Sequence, residues 1–104
     1  MNDSDWAVFT QIKELAIEKF CDQAVREYMA IINDDAMPAT DRHHAILKLV
    51  NIKDDNMQLL FEGHSRGNAS YQLMAIRAEG LVDESLLTQL SPAFLAATDP
   101  SLYQ

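Results

Sequence analysis

The first third of the chain carries a long run of apolar residues at helical spacing, and this pattern constrains the fold more than any other feature. Apolar side chains recur every three or four positions at Phe9, Ile12, Ala16, Phe20, Ala24, Tyr28 and Ile31. That spacing places them on one side of an α-helix, which has 3.6 residues per turn. We therefore predict one long, bent helix from Asp5 to about Ile32, with Asp5 as its N-cap.

Turn-forming residues divide the rest of the chain into shorter helices. Asn, Asp and Pro in residues 33–39 predict a chain reversal. The further helices are predicted over residues 40–62, about 69–80, 83–90 and 92–97. Thr40 and Asp83 are the expected N-caps of two of them. Gly80 is expected to end the third helix in a left-handed conformation, and Pro92 suits the first position of the last one.

No segment shows the alternation of apolar and polar residues that is typical of a strand. We therefore predict an all-α fold, a compact bundle of four to five antiparallel helices with no sheet. Residues 1–98 are expected to form a single helical domain, and residues 99–104 a frayed C-terminal tail. The side chains predicted to be substantially buried are Trp6, Phe9, Phe20, Ile31, Leu49, Leu60, Leu73, Ile76 and Leu90.

The composition is that of a packed, acidic protein. Hydrophobic residues make up 48% of the 104 residues, which is too high a fraction for a disordered acidic tail. Sixteen Asp and Glu against eight Lys and Arg give a formal net charge of -8. A negative chain is repelled by phosphate backbones and anionic lipids, so we expect neither a nucleic acid nor a membrane as partner. A basic protein is the expected partner.

Two further features predict a cytoplasmic protein. The single cysteine, Cys21, cannot form an intramolecular disulfide. The first five residues are acidic, whereas a secretory signal begins with basic residues. No apolar run approaches the ~18 residues of a membrane span.

Acidic residues concentrate in the predicted second helix with the turn before it, and in the C-terminal segment. Residues 27–62 hold seven carboxylates and three Lys or Arg, a net charge of -4. The predicted partner-binding residues are the carboxylates Asp34, Asp35, Asp41, Asp55 and Glu62, with Ile52 and Leu59 as apolar anchors. Tyr103 in the tail is a further candidate anchor. The same charges also fit a surface that serves only solubility.

Motifs that would indicate catalysis or metal binding fail on their spacing. Residues 63–67 match the G-x-S-x-G pattern of a hydrolase nucleophile, but a helix precedes Ser65 and no histidine follows it. His43 and His44 diverge by ~100° on a helix, and His64 lies ~30 Å away at the other end of that helix. We therefore expect no enzymatic activity, no metal site and no cofactor.

One stretch of the chain resembles a family. The segments Gln72-Leu73, Glu79-Gly80-Leu81-Val82-Asp83 and Leu90-Ser91-Pro92 lie within residues 66–92, about a quarter of the chain. This stretch resembles small helical bacterial immunity proteins, the partners of polymorphic or contact-dependent toxins. The resemblance implies a protein that binds and blocks a basic toxin without chemistry of its own. The alternative function is a homodimeric helical regulator or adaptor whose exposed apolar residues serve self-association.

Overall fold

A computed structural model describes residues 1–102, and over that range the chain is all helical with no strand. The five α-helices are α1 (Asp3–Ile32), α2 (Ala39–Phe61), α3 (Arg66–Ala78), α4 (Glu84–Leu87) and α5 (Pro92–Ala97). A 3-10 helix follows at Pro100–Leu102. The predicted all-α bundle is therefore confirmed, and the predicted long first helix is a single uninterrupted helix of 30 residues.

Two of the predicted N-caps are wrong. The side chain of Asn2 caps α1, because its Oδ1 accepts from the backbone N–H of Asp5 at 2.7 Å. The carboxylate of Asp5 is buried and bonds elsewhere. Helix α2 begins before Thr40, because the carbonyl of Pro38 already accepts the first helical bond from the N–H of Arg42. No side chain caps this end of α2.

The predicted turn chemistry of the C-terminal half is confirmed. Gly80 has a positive φ of 70°, and the N–H of Leu81 donates to the carbonyl of Ile76, as in a Schellman motif. The carboxylate of Asp83 accepts from the N–H of Ser85 at the start of α4. Pro92 occupies the first turn of α5. Helix α4 ends at Leu87, three residues before the predicted Leu90.

The hydrophobic core lies at one end of the molecule. It joins Phe9, Ile12, Ala16 and Phe20 of α1 to Phe61, Ala69, Leu73, Ile76, Leu81, Val82, Leu86, Leu87, Leu90 and Phe94. Five of the nine residues predicted to be buried, Phe9, Phe20, Leu73, Ile76 and Leu90, belong to this core. Trp6 and Leu60 are half-buried and pack against it. Ile31 and Leu49 are half-buried at the other end of the helices.

Helix α3 covers only a little more than the first half of α1. At its start, Arg66 donates to the carboxylate of Asp3, and just after its end the carbonyl of Gly80 accepts from Lys19. The rest of α1 and most of α2 continue as a pair of helices, which we call the arm and define as residues 21–60. Ala24 is the one buried residue of the arm, and the molecule measures 53 × 23 × 23 Å.

The chain beyond α5 stays against the bundle as far as it is described. The guanidinium of Arg77 donates to the carbonyl of Leu95 and to the hydroxyl of Thr98, each at 2.9 Å. Thr98 is fully buried, and the 3-10 helix that follows contacts α3. The described chain thus ends in a 3-10 helix within the segment predicted as a C-terminal tail. Residues 103–104, including the candidate anchor Tyr103, lie outside the described residues.

Candidate protein-binding surfaces

The solvent side of α2 brings four of the predicted partner-binding residues together. Ile52, Asp55, Leu59 and Glu62 follow one another at spacings of three and four, so they share one side of the helix. We call these four residues the acidic ridge. Leu59 is 84% exposed. With Gln58 it lines a shallow depression between the carboxylates of the ridge. The ridge therefore exposes an apolar side chain, Leu59, to solvent between the carboxylates of Asp55 and Glu62.

The other three predicted residues are separate from the ridge. Asp41 lies on the same side of α2, but 14 residues from Asp55, or ~21 Å at 1.5 Å per residue. Asp34 and Asp35 lie in the turn between α1 and α2, where the carboxylate of Asp34 accepts from the N–H of Ala36. The exposed Lys48 lies between Asp41 and the ridge and interrupts the row of negative charge. The predicted carboxylates thus form two groups. Asp55 and Glu62 lie on the ridge, and Asp34, Asp35 and Asp41 lie in and just after the turn between α1 and α2.

The charges of both groups are uncompensated. The salt bridges within residues 1–102 join Asp22 to Arg26, Glu27 to Lys53 and Asp3 to Arg66. None of them includes the five predicted carboxylates. All five are exposed, so their field reaches solvent and is available to a partner.

The sequence interpretation missed an apolar groove on the other side of the arm. Its lining residues come from both helices of the arm and include Cys21, Val25, Tyr28, Val50 and Met57. We call this depression the arm groove. Val25 and Val50 are exposed, although both lie on the side where α1 and α2 meet. One signal was available in the sequence: Val25, Met29 and Ile32 form a second apolar line on α1, beside the main one.

The sequence interpretation also missed the role of Lys13, which is buried and has no carboxylate partner within residues 1–102. Its ammonium donates to the carbonyl of Gly63 at 2.6 Å and to Oε1 of Gln72 at 3.2 Å, and lies 3.4 Å from Nδ1 of His64. The amide of Gln72 donates to the same Gly63 carbonyl at 2.9 Å. Burial lowers the pKa of Lys13 below its ordinary 10.5. This network fixes the loop between α2 and α3 against α1.

The neighbourhood of Ser65 differs from that of a hydrolase nucleophile. Ser65 is exposed and directly precedes α3, and helix α2 ends shortly before it. The ring of His64 packs against Trp6, with centroids 4.5 Å apart, and its Nε2 lies 3.2 Å from the hydroxyl of Thr10. Within residues 1–102, no three His, Cys, Asp or Glu side chains are grouped so that they could hold a metal ion.

The burial of Lys13 predicts a pH dependence of the folding stability that can be measured. Because the folded-state pKa lies below 10.5, the unfolded chain binds more protons than the folded chain between the two values. The contribution of Lys13 to stability therefore rises with pH in that window. We expect the free energy of unfolding of wild type to rise relative to that of Lys13→Met as the pH is raised towards 10.5. Urea unfolding of both proteins measures this difference. A difference that falls with pH would contradict this assignment.

Within residues 1–102, none of the helices has the length and hydropathy needed to cross a bilayer. Comparisons with protein-family models, curated proteins and solved structures gave no match.

Proposed function

We propose that this chain is a non-enzymatic, cytoplasmic protein-binding domain that binds a basic protein through the acidic ridge of α2. The observation that carries the proposal is the exposure of Leu59 between Asp55 and Glu62. Fully burying a leucine side chain contributes about 1.5 to 3 kcal/mol. In the isolated chain this gain is not realised, so it is available to a partner that covers the ridge.

The two kinds of residue in the ridge have different roles in binding. Asp55 and Glu62 attract a positive surface at a distance and so raise the association rate, an effect that salt screens. Leu59 and Ile52 make contact only in the complex, so they set the dissociation rate. Apolar anchors within a charged rim are a common arrangement of protein interfaces.

The most specific form of the proposal is an immunity protein that blocks a bacterial toxin. A toxin that cleaves nucleic acid must present Lys and Arg to phosphates, and an acidic ridge seated there would exclude the substrate. The segments that resemble immunity proteins lie in α3, in α5 and in the turns around α4, whereas the ridge lies on α2. In this proposal α3 to α5 support α2, and α2 makes the contact.

The test is affinity capture from an extract of the source organism. Columns carry the wild-type chain, Leu59→Gln, or the double variant Asp55→Asn/Glu62→Gln, and retained proteins are identified by mass spectrometry. We expect the wild-type column to retain a basic protein at about 50 mM salt and to release it at about 500 mM. Both variants should retain at least about tenfold less of it.

The matched control removes the same charge from other surfaces. Glu14 of α1 and Glu84 of α4 are exposed, and neither belongs to the ridge. The double variant Glu14→Gln/Glu84→Gln should retain the basic protein as wild type does. If the ridge variants and wild type retain the same proteins in the same amounts, the ridge is not the binding surface and the proposal is wrong.

A further inference from the structure

We propose a second binding site: the arm groove takes one amphipathic helix from a partner protein, with apolar side chains on one side and basic residues flanking them. The groove measures about 220 Å³. That is smaller than the ~300 to 1,000 Å³ of most small-molecule sites, and it suits one or two apolar side chains. Val50 and Leu59 are nine positions apart, which places them on opposite sides of α2. The groove is therefore distinct from the acidic ridge.

The apolar surface continues from the groove towards the tip of the arm. Met29 and Ile32 of α1 and Leu47 of α2 are each slightly more than half exposed. The α1 part of the arm, residues 21–32, is ~18 Å long, the length of a 12-residue helix. A two-helix arm leaves one long apolar side without a partner, and a third helix laid along it would bury that side.

The charges around the groove select the kind of helix. Lys53 lines the groove, but its ammonium is paired with Glu27 and lies 5.7 Å from the centre of the Phe20 ring. Asp54 also lines the groove and belongs to no salt bridge within residues 1–102. Glu18 lies seven positions before Val25 on the same side of α1 and is exposed. The unpaired charge at the rim is thus negative, which favours a basic helix.

The same charges disfavour a second copy of this chain as the occupant. Two copies that met through their arm grooves would each bring Asp54 and Glu18 to the shared rim. Each chain also carries a net charge of -8. Like charges at an interface oppose association unless cations are placed between them, and the cations beside this groove, Lys53 and Arg26, are already paired with Glu27 and Asp22.

The probe is a synthetic 14-residue peptide of leucine and lysine whose sequence repeats with helical period, labelled for fluorescence anisotropy. A scrambled peptide of the same composition keeps the charge and loses the apolar side. We expect the helical peptide to bind at least about tenfold more tightly than the scrambled one. Bound peptide should also slow the reaction of the Cys21 thiol with a thiol reagent, because Cys21 is the single cysteine and lines the groove.

Two matched variants locate the peptide. Val25→Gln removes an exposed apolar side chain from the groove, and Leu59→Gln does the same on the ridge. We expect Val25→Gln to weaken peptide binding at least about tenfold and Leu59→Gln less than about twofold. Both substitutions are at exposed helical positions, and circular dichroism will confirm that both variants are folded.

Three results would overturn the inference. If the peptide binds no more tightly than its scrambled form, the groove does not take an amphipathic helix. If Leu59→Gln rather than Val25→Gln abolishes binding, the peptide lies on the ridge, and the proposed function survives while the groove site does not. If sedimentation equilibrium of the chain alone shows a dimer that Val25→Gln dissociates, the occupant is a second copy.

Discussion

Replacing Leu73 with alanine will lower the free energy of unfolding by about 3 kcal/mol, within the 2 to 5 kcal/mol that such truncations cost in well-packed cores. Leu73 of α3 is fully buried, and the core around it draws on α1, α2, α4 and α5. Truncation removes the transfer free energy of the side chain and leaves a cavity that the surrounding helices cannot close. Urea unfolding followed by circular dichroism measures the loss.

The matched substitution Leu59→Ala should change the free energy of unfolding by less than about 0.5 kcal/mol. Leu59 is 84% exposed, so its truncation creates no cavity. The two variants make the same chemical change on helices of the same molecule, and they compare a buried core leucine with an exposed one. Equal losses of stability in the two variants would show that Leu59 packs inside the folded protein, and the acidic ridge would lose its anchor.

Removing the carboxylate of Asp5 will destabilise the fold by about 2 to 3 kcal/mol at neutral pH. This buried group joins the first turn of α1 to the start of α5, where it accepts from the N–H of Ser91 at 2.8 Å and from its hydroxyl at 2.6 Å. Asp5→Ala leaves both donors without their partner. Asp3→Ala is the control, because the side chain of Asp3 is almost fully exposed.

The loss of stability in Asp5→Ala depends on pH in a defined direction. The hydrogen bonds from Ser91 lower the pKa of Asp5 below its ordinary 3.8. A depressed pKa stabilises the fold above 3.8, and that contribution is lost as the pH falls through the folded-state value. The gap in stability between wild type and Asp5→Ala should therefore narrow below about pH 3.8. A gap that widens in acid would mean that Asp5 is protonated when folded.

Local sequence features predicted the helices because their causes are local. The apolar stripe of α1, the left-handed Gly80 and the cap at Asp83 each depend on residues within one or two turns. The partners of Asp5 and Lys13 lie 86 and at least 50 residues away. Asp5 has the residue type and position of an N-cap, and only the arrival of Ser91 in the folded chain gives it another role.

The candidate surfaces also divide into features that nearby residues predict and features that depend on distant parts of the chain. The sequence predicted Leu59 and Ile52 as apolar anchors among the carboxylates of α2, and the structure exposes both. The second apolar line of α1 marks an apolar surface in the arm, but the sequence does not show that this surface stays uncovered, because the helical period of α1 continues unchanged from Phe20 into the arm. What changes there is the neighbour: α3 ends beside Lys19, so apolar residues beyond that level lack a third helix. Where one helix ends against another is a property of the packed chain.

The central claim is that the acidic ridge contacts the basic partner, and NMR tests this claim most directly. The uniformly ¹⁵N-labelled chain is titrated with the basic protein that the wild-type column retains, and amide shifts are mapped along the sequence. The largest changes should fall on the exposed side of residues 52–62, with little change in α3 to α5. Changes concentrated on α3 to α5 or around His64, with residues 52–62 unaffected, would contradict the account.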